Sequence, residues 1–339
     1  MKYSSLYITK PGKVELLERD IQLKPGEVLA KTIMSSICGS DRNNFLGHIN
    51  RGTSTKDFSR NYGEAHSLSF PILVGHEGCG IVEEVGSAVS FCKKGDLISS
   101  FCVSGTMGEY FVCLGAEEGY GLAVAPKGMS PVIASQGEPA SCAIYAGLQS
   151  GVELGDTVAV IGAGFAGQII AQVVKKMGAY KVIVADIVDK KLEIAKSLGA
   201  DITVNPSKED ILELVLKETN GEGVDVAIEV GGVNETVQMC SDILKHGGIL
   251  GMYSWILDPL NVYVDRWHND GFDIRTLALM HRIHHDRIWY IRQAMSIMNR
   301  GIVQIEPLLT HTFKLSESQK AFEVSRDDVN ACKVVIKPD

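Results

Sequence analysis

Four side chains have the chemistry to hold a metal ion. They are Cys38 in Cys38-Gly39-Ser40-Asp41, His76 and Glu77 in Gly75-His76-Glu77-Gly78, and Glu138 in Gly137-Glu138-Pro139. A thiolate, an imidazole and a carboxylate suit zinc, a borderline-soft cation with no redox chemistry of its own. Taken singly, each has a plainer reading: a lone Cys or His is more often core or surface, and Glu138 reads as a solvated loop acid. Metal chemistry requires a fold that gathers positions far apart in sequence.

A second constellation starts at Gly162. Thr157–Ile161 reads as a strand running into Gly162-Ala163-Gly164-Phe165-Ala166-Gly167, and a helix is predicted over 167–177. In that context the first glycine makes the tight turn and the second lets the backbone approach a pyrophosphate. The third lets the helix pack on the strand, with its N-terminus aimed at the anion. Asp186 follows Gly162 by 24 residues and ends the next predicted strand, 181–185. A carboxylate there accepts hydrogen bonds from ribose hydroxyls and repels a 2′-phosphate, so NAD is expected over NADP. Lys191, at the head of the following helix, completes the expected cofactor-binding set.

The elements that must position these groups change along the chain. Up to about residue 140, short β-branched runs at 26–33, 80–85 and 96–100 lie between turn residues, an all-β texture. From about residue 154, strands at 157–161, 181–185, 225–229 and 248–253 alternate with helices at 167–177, 190–198 and 235–244. That order predicts parallel βαβ units in one doubly wound sheet. A helix over 286–298 and short strands near 309–315 and 333–337 complete the reading. The predicted fold class is α/β, a β-rich domain plus a Rossmann domain.

A length of 339 residues suits two domains, and 45% apolar with 22% charged residues is the balance of a globular protein. A net charge of -8 and a pI near 5.6 oppose nucleic acid or an anionic membrane as partner and leave a small molecule. Residues 1–13 lack the apolar stretch of a secretory signal. The nearly apolar run 157–174 is broken by Gln168, Gln172 and glycines, and reads as buried strand and helix rather than a membrane span. A cytoplasmic protein is therefore expected. Eight scattered cysteines fit free thiols in a reducing compartment better than a disulfide framework.

Together, the cysteine segment, the Gly-His-Glu segment, Glu138-Pro139 and the glycine motif resemble the zinc-containing medium-chain dehydrogenase family over nearly the whole chain. The resemblance implies a GroES-like catalytic domain over 1–145, completed by 279–339, and a Rossmann NAD-binding domain over 146–278. It implies Cys38 and His76 as zinc ligands, with Glu77 or Glu138 as the third. Sorbitol-type members use such a two-glutamate arrangement, whereas classical alcohol dehydrogenases often carry a cysteine at the position of Glu138. Ser40 matches the hydroxyl that first takes the substrate proton. The family's common relay histidine is replaced by Asn43, which cannot act as a base near neutral pH. Members with a structural zinc carry a cysteine-rich lobe after the match to Gly95-Asp96. Here about a dozen residues separate that pair from Gly108-Glu109-Tyr110, and Cys92, Cys102 and Cys113 lack CxxC spacing, so one zinc per chain is expected.

The implied activity is hydride transfer between a secondary alcohol, polyol or sugar-like, and NAD. A threonine-type or simple alcohol dehydrogenase shares the same motifs. A zinc-free dinucleotide-binding protein, structural or quinone-reductase-like, is the reading from another class, and the presence of Cys38, His76 and Glu77 opposes it. The resemblance also implies a homodimer or homotetramer. The segment 46–70 carries Arg51, Lys56, Arg60 and His66 against Asp57 and Glu64, and reads as a solvated excursion or as a lid favouring an oxygen-rich or anionic substrate. His281, Arg282, His284 and His285 read as a helical face or subunit contact ahead of a metal site.

Overall fold

In the computed structural model, residues 1–48, 69–101, 105–114, 121–256, 259–279 and 284–339 are described, with 284–286 by backbone alone. Most of the 46–70 segment, Cys102, His281, Arg282 and the side chains of His284 and His285 lie outside the described residues. The chain divides into two compact units. One holds Met1–Pro139, His284–Asn299 and Leu309–Asp339, and the other Ala140–Ile283 and Arg300–Leu308.

The chain begins with β1 (Lys2–Lys10), β2 (Lys13–Asp20), β3 (Val28–Ser36), α1 (Gly39–Phe45), β4 (Ile72–Leu73), β5 (Glu77–Val85), β6 (Leu97–Ser100), β7 (Tyr110–Cys113), β8 (Leu122–Val124), α2 (Pro131–Ser135) and α3 (Gly137–Gln149). It continues with β9 (Thr157–Ile161), α4 (Phe165–Met177), β10 (Lys181–Ala185), α5 (Asp189–Ser197), β11 (Ile202–Val204), α6 (Ile211–Glu218), β12 (Val224–Glu229), α7 (Asn234–Ile243), β13 (Leu244–Met252), α8 (Asp265–Asn269) and β14 (Asp273–Thr276). The last elements are α9 (His284–Asn299), β15 (His311–Lys314), α10 (Ser318–Asp327) and β16 (Val334–Lys337).

In the second unit all six strands run parallel in the order β11-β10-β9-β12-β13-β14. This is the doubly wound Rossmann order, with β9 at the centre. Val158, Ala159, Val160 and Ile161 are all buried, as a central strand covered by helices on both faces demands. Strands β9 and β10 match the sequence-based ranges residue for residue, whereas α4 starts two residues earlier than the glycine count suggested. Gly162 sits at φ +113, a left-handed conformation that favours glycine, and a Cβ on Gly167 would stand 1.8 Å from the Gly162 carbonyl oxygen. Gly167→Ala is therefore expected to cost about 1–3 kcal/mol by forcing α4 off β9. A urea midpoint equal to that of the parent would contradict this packing role.

In the first unit, β2-β1-β4 form a small sheet beside a seven-stranded one ordered β15-β16-β3-β5-β6-β8, with β7 also on β3. Two registers matter for the site. Antiparallel β3 and β5 pair Ser36 with Glu77, and antiparallel β16 and β3 pair Val335 with Ser36. The residues just past the end of β3 thus meet those at the start of β5 and those just ahead of β16. Cys79, Cys92, Cys113 and Cys240 are buried in sheet or helix packing, and burial pushes the Cys79 thiol up to about 12. Among the described residues no helix is long and apolar enough to cross a membrane.

Candidate active site

Cys38 lies two residues beyond β3, at the position that caps α1, and His76 immediately precedes β5. The β3–β5 register closes the gap between them. The Cys38 sulfur, a ring nitrogen of His76 and a carboxylate oxygen of Glu77 all lie within 4.8 Å of one another. Ligand bonds of about 2.0–2.3 Å to one ion require that span to close only modestly. Gly75 makes the approach possible: it sits at φ +95, and a Cβ there would meet the Met107 backbone nitrogen at 2.6 Å.

Each of the three is held by neighbours. Asp41, buried in the first turn of α1, accepts hydrogen bonds from the backbone N–H groups of Cys38 (3.0 Å) and Gly75 (3.4 Å). One of its oxygens stands 3.8 Å from His76 Nδ1, beyond a hydrogen bond but close enough for its charge to act on the ring. Burial pushes the Asp41 carboxyl above its ordinary range, against the pull of His76. For His76 itself, burial opposes a charge, yet Asp41, Cys38 and Glu138 outweigh it and raise the imidazole well above its usual value. A field that holds a proton there also favours a cation. Asp41→Asn is expected to weaken metal affinity by about 10–100-fold, the usual cost of losing an outer-shell partner. Competition with a chromophoric chelator measures it, and an unchanged constant would remove Asp41 from any role in supporting the metal.

Glu77 is held on one side. Its Oε2 accepts from Ser36 Oγ at 2.6 Å and pairs with Lys333 Nζ at 2.7 Å, with both charged side chains almost wholly buried. Its backbone carbonyl accepts from Ser35 Oγ at 2.8 Å. Burial works against ionising Glu77, but Lys333, His76 and Ser36 prevail and hold its pKa below the ordinary value. Lys333 arrives through the β16–β3 register, with Ile37 N–H donating to the Val334 carbonyl at 2.9 Å. Nothing in its sequence neighbourhood marks it as part of a site.

Glu138 is outside the three-residue group. It lies in the first turn of α3, buried rather than solvated, and its Oε1 accepts from Arg287 Nη2 at 3.1 Å. Ser40 and Asn43 lie half-buried on α1. Glu77 and Glu138 each pair with a buried or nearly buried cation, Lys333 and Arg287 respectively. The thiolate, imidazole and carboxylate of Cys38, His76 and Glu77 are a donor set that suits a zinc dication.

The glycine motif forms a separate site in the second unit. Gly164 caps α4, and a Cβ placed on it would meet nothing within 4 Å. Packing within the chain therefore leaves the glycine unexplained, while open space before a helix N-terminus suits a phosphate group. Asp186 accepts from Ala163 N–H at 2.7 Å with one oxygen and from Val188 N–H at 2.9 Å with the other. The carboxylate so ties together the loops after β9 and β10, with lone pairs to spare. Phe165 and Ala166 open α4, and Lys191 lies in α5, where its backbone carbonyl accepts from Gln168.

Residues 24–138 match the alcohol dehydrogenase GroES-like domain, and residues 166–295 match the zinc-binding dehydrogenase family. The L-threonine 3-dehydrogenase of Pyrococcus horikoshii is 30% identical over 354 residues, covering 96% of each chain. The chain belongs to the zinc-dependent medium-chain dehydrogenase family. Its fold matches that of a zinc-dependent alcohol dehydrogenase from Streptococcus pneumonia (27% identity, TM-score 0.83, 99% of each chain). It also matches the 2R,3R-butanediol dehydrogenase of Bacillus subtilis (22% identity, TM-score 0.83, 99% of this chain and 100% of that one). The GroES-like and Rossmann-like parts expected from the sequence are those found. As a medium-chain dehydrogenase the chain is a zinc-binding, nicotinamide-dependent oxidoreductase acting on a small-molecule alcohol.

Proposed function

We propose that this enzyme oxidises a secondary alcohol that carries an adjacent polar group, with NAD as hydride acceptor and one zinc ion per chain. The observation that carries it is the convergence of Cys38, His76 and Glu77 from separate segments within 4.8 Å. In this reading they are the protein ligands of the zinc, and Gly162, Gly164, Phe165, Ala166, Gly167, Asp186 and Lys191 form the nucleotide site. When bound, zinc supplies a Lewis acid that lowers the pKa of a hydroxyl, and NAD supplies the acceptor. Asp41 holds the Cys38 and Gly75 backbone beside His76; Ser36 and Lys333 fix Glu77, and Ser40 carries the hydroxyl proton outward. Asn43 cannot take that proton as a base, so its exit runs elsewhere. Asp186 favours NAD by offering a carboxylate to the ribose hydroxyls.

Two substrate classes fit. The paired acids Glu77 and Glu138 support a polyol or sugar-like alcohol, while the 30%-identical relatives named threonine dehydrogenases favour a β-hydroxy amino acid. We take the first domain as 1–145 with 279–339 and the nucleotide domain as 146–278, in a cytoplasmic homodimer or homotetramer. The test is a bound-metal count paired with initial rates on polyols, threonine and simple alcohols, each with NAD and NADP. About one zinc per chain with NAD-dependent turnover of a vicinal diol or hydroxy amino acid supports the proposal. Turnover in metal-free protein, or preference for NADP, overturns its metal or cofactor part.

A further inference from the structure

Gly137 is where α3 meets α9. A Cβ there would stand 2.6 Å from Ser99 Oγ and 3.1 Å from both Ile291 Cγ2 and Met295 Cγ. Arg287, Ile291 and Met295 follow one another at four-residue spacing and so share one face of α9. The glycine lets that face press onto the start of α3, and the residue it brings to Glu138 is Arg287. Its Nη2 donates to Glu138 Oε1 at 3.1 Å, with side chains 11% and 9% exposed. Its guanidinium carbon lies 4.1 Å from the centre of the buried Phe101 ring. Stacked on one side and paired at its edge, the planar group is held against both rotation and withdrawal. Two residues before Glu138, Gln136 Nε2 reaches Ser36 Oγ at 3.5 Å, the hydroxyl that donates to Glu77, so the start of α3 lies beside the donor group.

The geometry points to Arg287 as a positioning residue that holds Glu138 off the metal, so that a coordination place stays open for substrate. This deepens the zinc reading above and rests on it. Three protein ligands and one exchangeable position are what catalytic zinc requires, whereas a fourth protein ligand makes a closed, structural site. Glu138 is the further buried carboxylate beside the donor group, and Arg287 is the group that occupies it.

The test compares the parent, Arg287→Gln, Glu138→Gln and the double variant for zinc loss to a chelator. It also measures imidazole binding to the cobalt-substituted protein by its visible spectrum. In Arg287→Gln, zinc loss is expected to slow at least tenfold and imidazole to bind at least tenfold more weakly, with both returning to parent values in the double variant. Glu138→Gln alone is expected to leave both within about twofold. Parent values in Arg287→Gln overturn the proposal. If that variant does not fold, zinc loss at least tenfold faster in Glu138→Gln overturns it, because Glu138 would then already be a ligand beside Arg287. A parent protein that takes up no stoichiometric zinc or cobalt is a separate outcome that removes the zinc reading itself.

Discussion

Cys38→Ala is expected to lose zinc and activity together: metal content near zero after dialysis, and kcat/KM lowered at least about 10⁴-fold. A zinc ion moves the pKa of bound water from 15.7 to about 7, a Lewis-acid effect of several kcal/mol, and each 1.36 kcal/mol is tenfold in rate. Two ligands would remain, His76 and Glu77, and Glu77 already gives one oxygen to Ser36 and Lys333. Two ligands do not hold zinc against dialysis. The fold should survive, because Cys38 is partly exposed at the head of a short helix and supports no core cluster. The measurements are elemental analysis, steady-state rates and a thermal melt on the same preparation. An alanine variant that keeps parental zinc would exclude Cys38 as a ligand, and one that is zinc-free but fully active would exclude metal from the chemistry.

The contrast between Cys38 and Lys333 shows what a sequence exposes and what it hides. Cys38, His76 and Glu77 were legible because their types are the ones a metal demands and their segments are short and distinctive. Four of the six Rossmann strands were legible, β9 most plainly because an apolar run closed by glycines has few other uses, whereas short β11 and largely exposed β14 carry no such run. Lys333 was not legible, because a lysine ahead of Val334-Val335-Ile336 reads as the solvated start of a strand. Only the non-local pairing of β16 with β3 shows that this start lies against Glu77. Arg287 was hidden likewise: one charge among several on a helix, made functional by a glycine 150 residues earlier. Glu138 stood level with Glu77 in the sequence, and the structure separates them by giving one a place in the donor group and the other an arginine. Asp41 lay inside the segment already singled out, yet its role depends on where Gly75 and His76 arrive.

Lys333→Met is expected to destabilise the protein by about 3–5 kcal/mol, the usual cost of removing one partner from a buried ion pair. Both side chains are almost wholly buried and their charged atoms stand 2.7 Å apart, so solvent screens the pair little. Burial by itself would pull Lys333 toward neutrality, but the neighbouring Glu77 and Cys38 outweigh it and raise its pKa. Without the ammonium, Glu77 keeps Ser36 as a donor and His76 as a neighbouring charge but loses its largest source of compensation, so its ionised form becomes far less favourable. Urea unfolding with a chelator present isolates this effect from metal binding. The pair interpretation makes a sharper demand on the double variant. Lys333→Met with Glu77→Gln removes both charges and should be more stable than Lys333→Met alone, since a neutral pair of similar volume is often tolerated in place of buried ions. If the two losses simply add, Lys333 stabilises the chain through its packing along β16, and the charge on Glu77 has some other source of compensation.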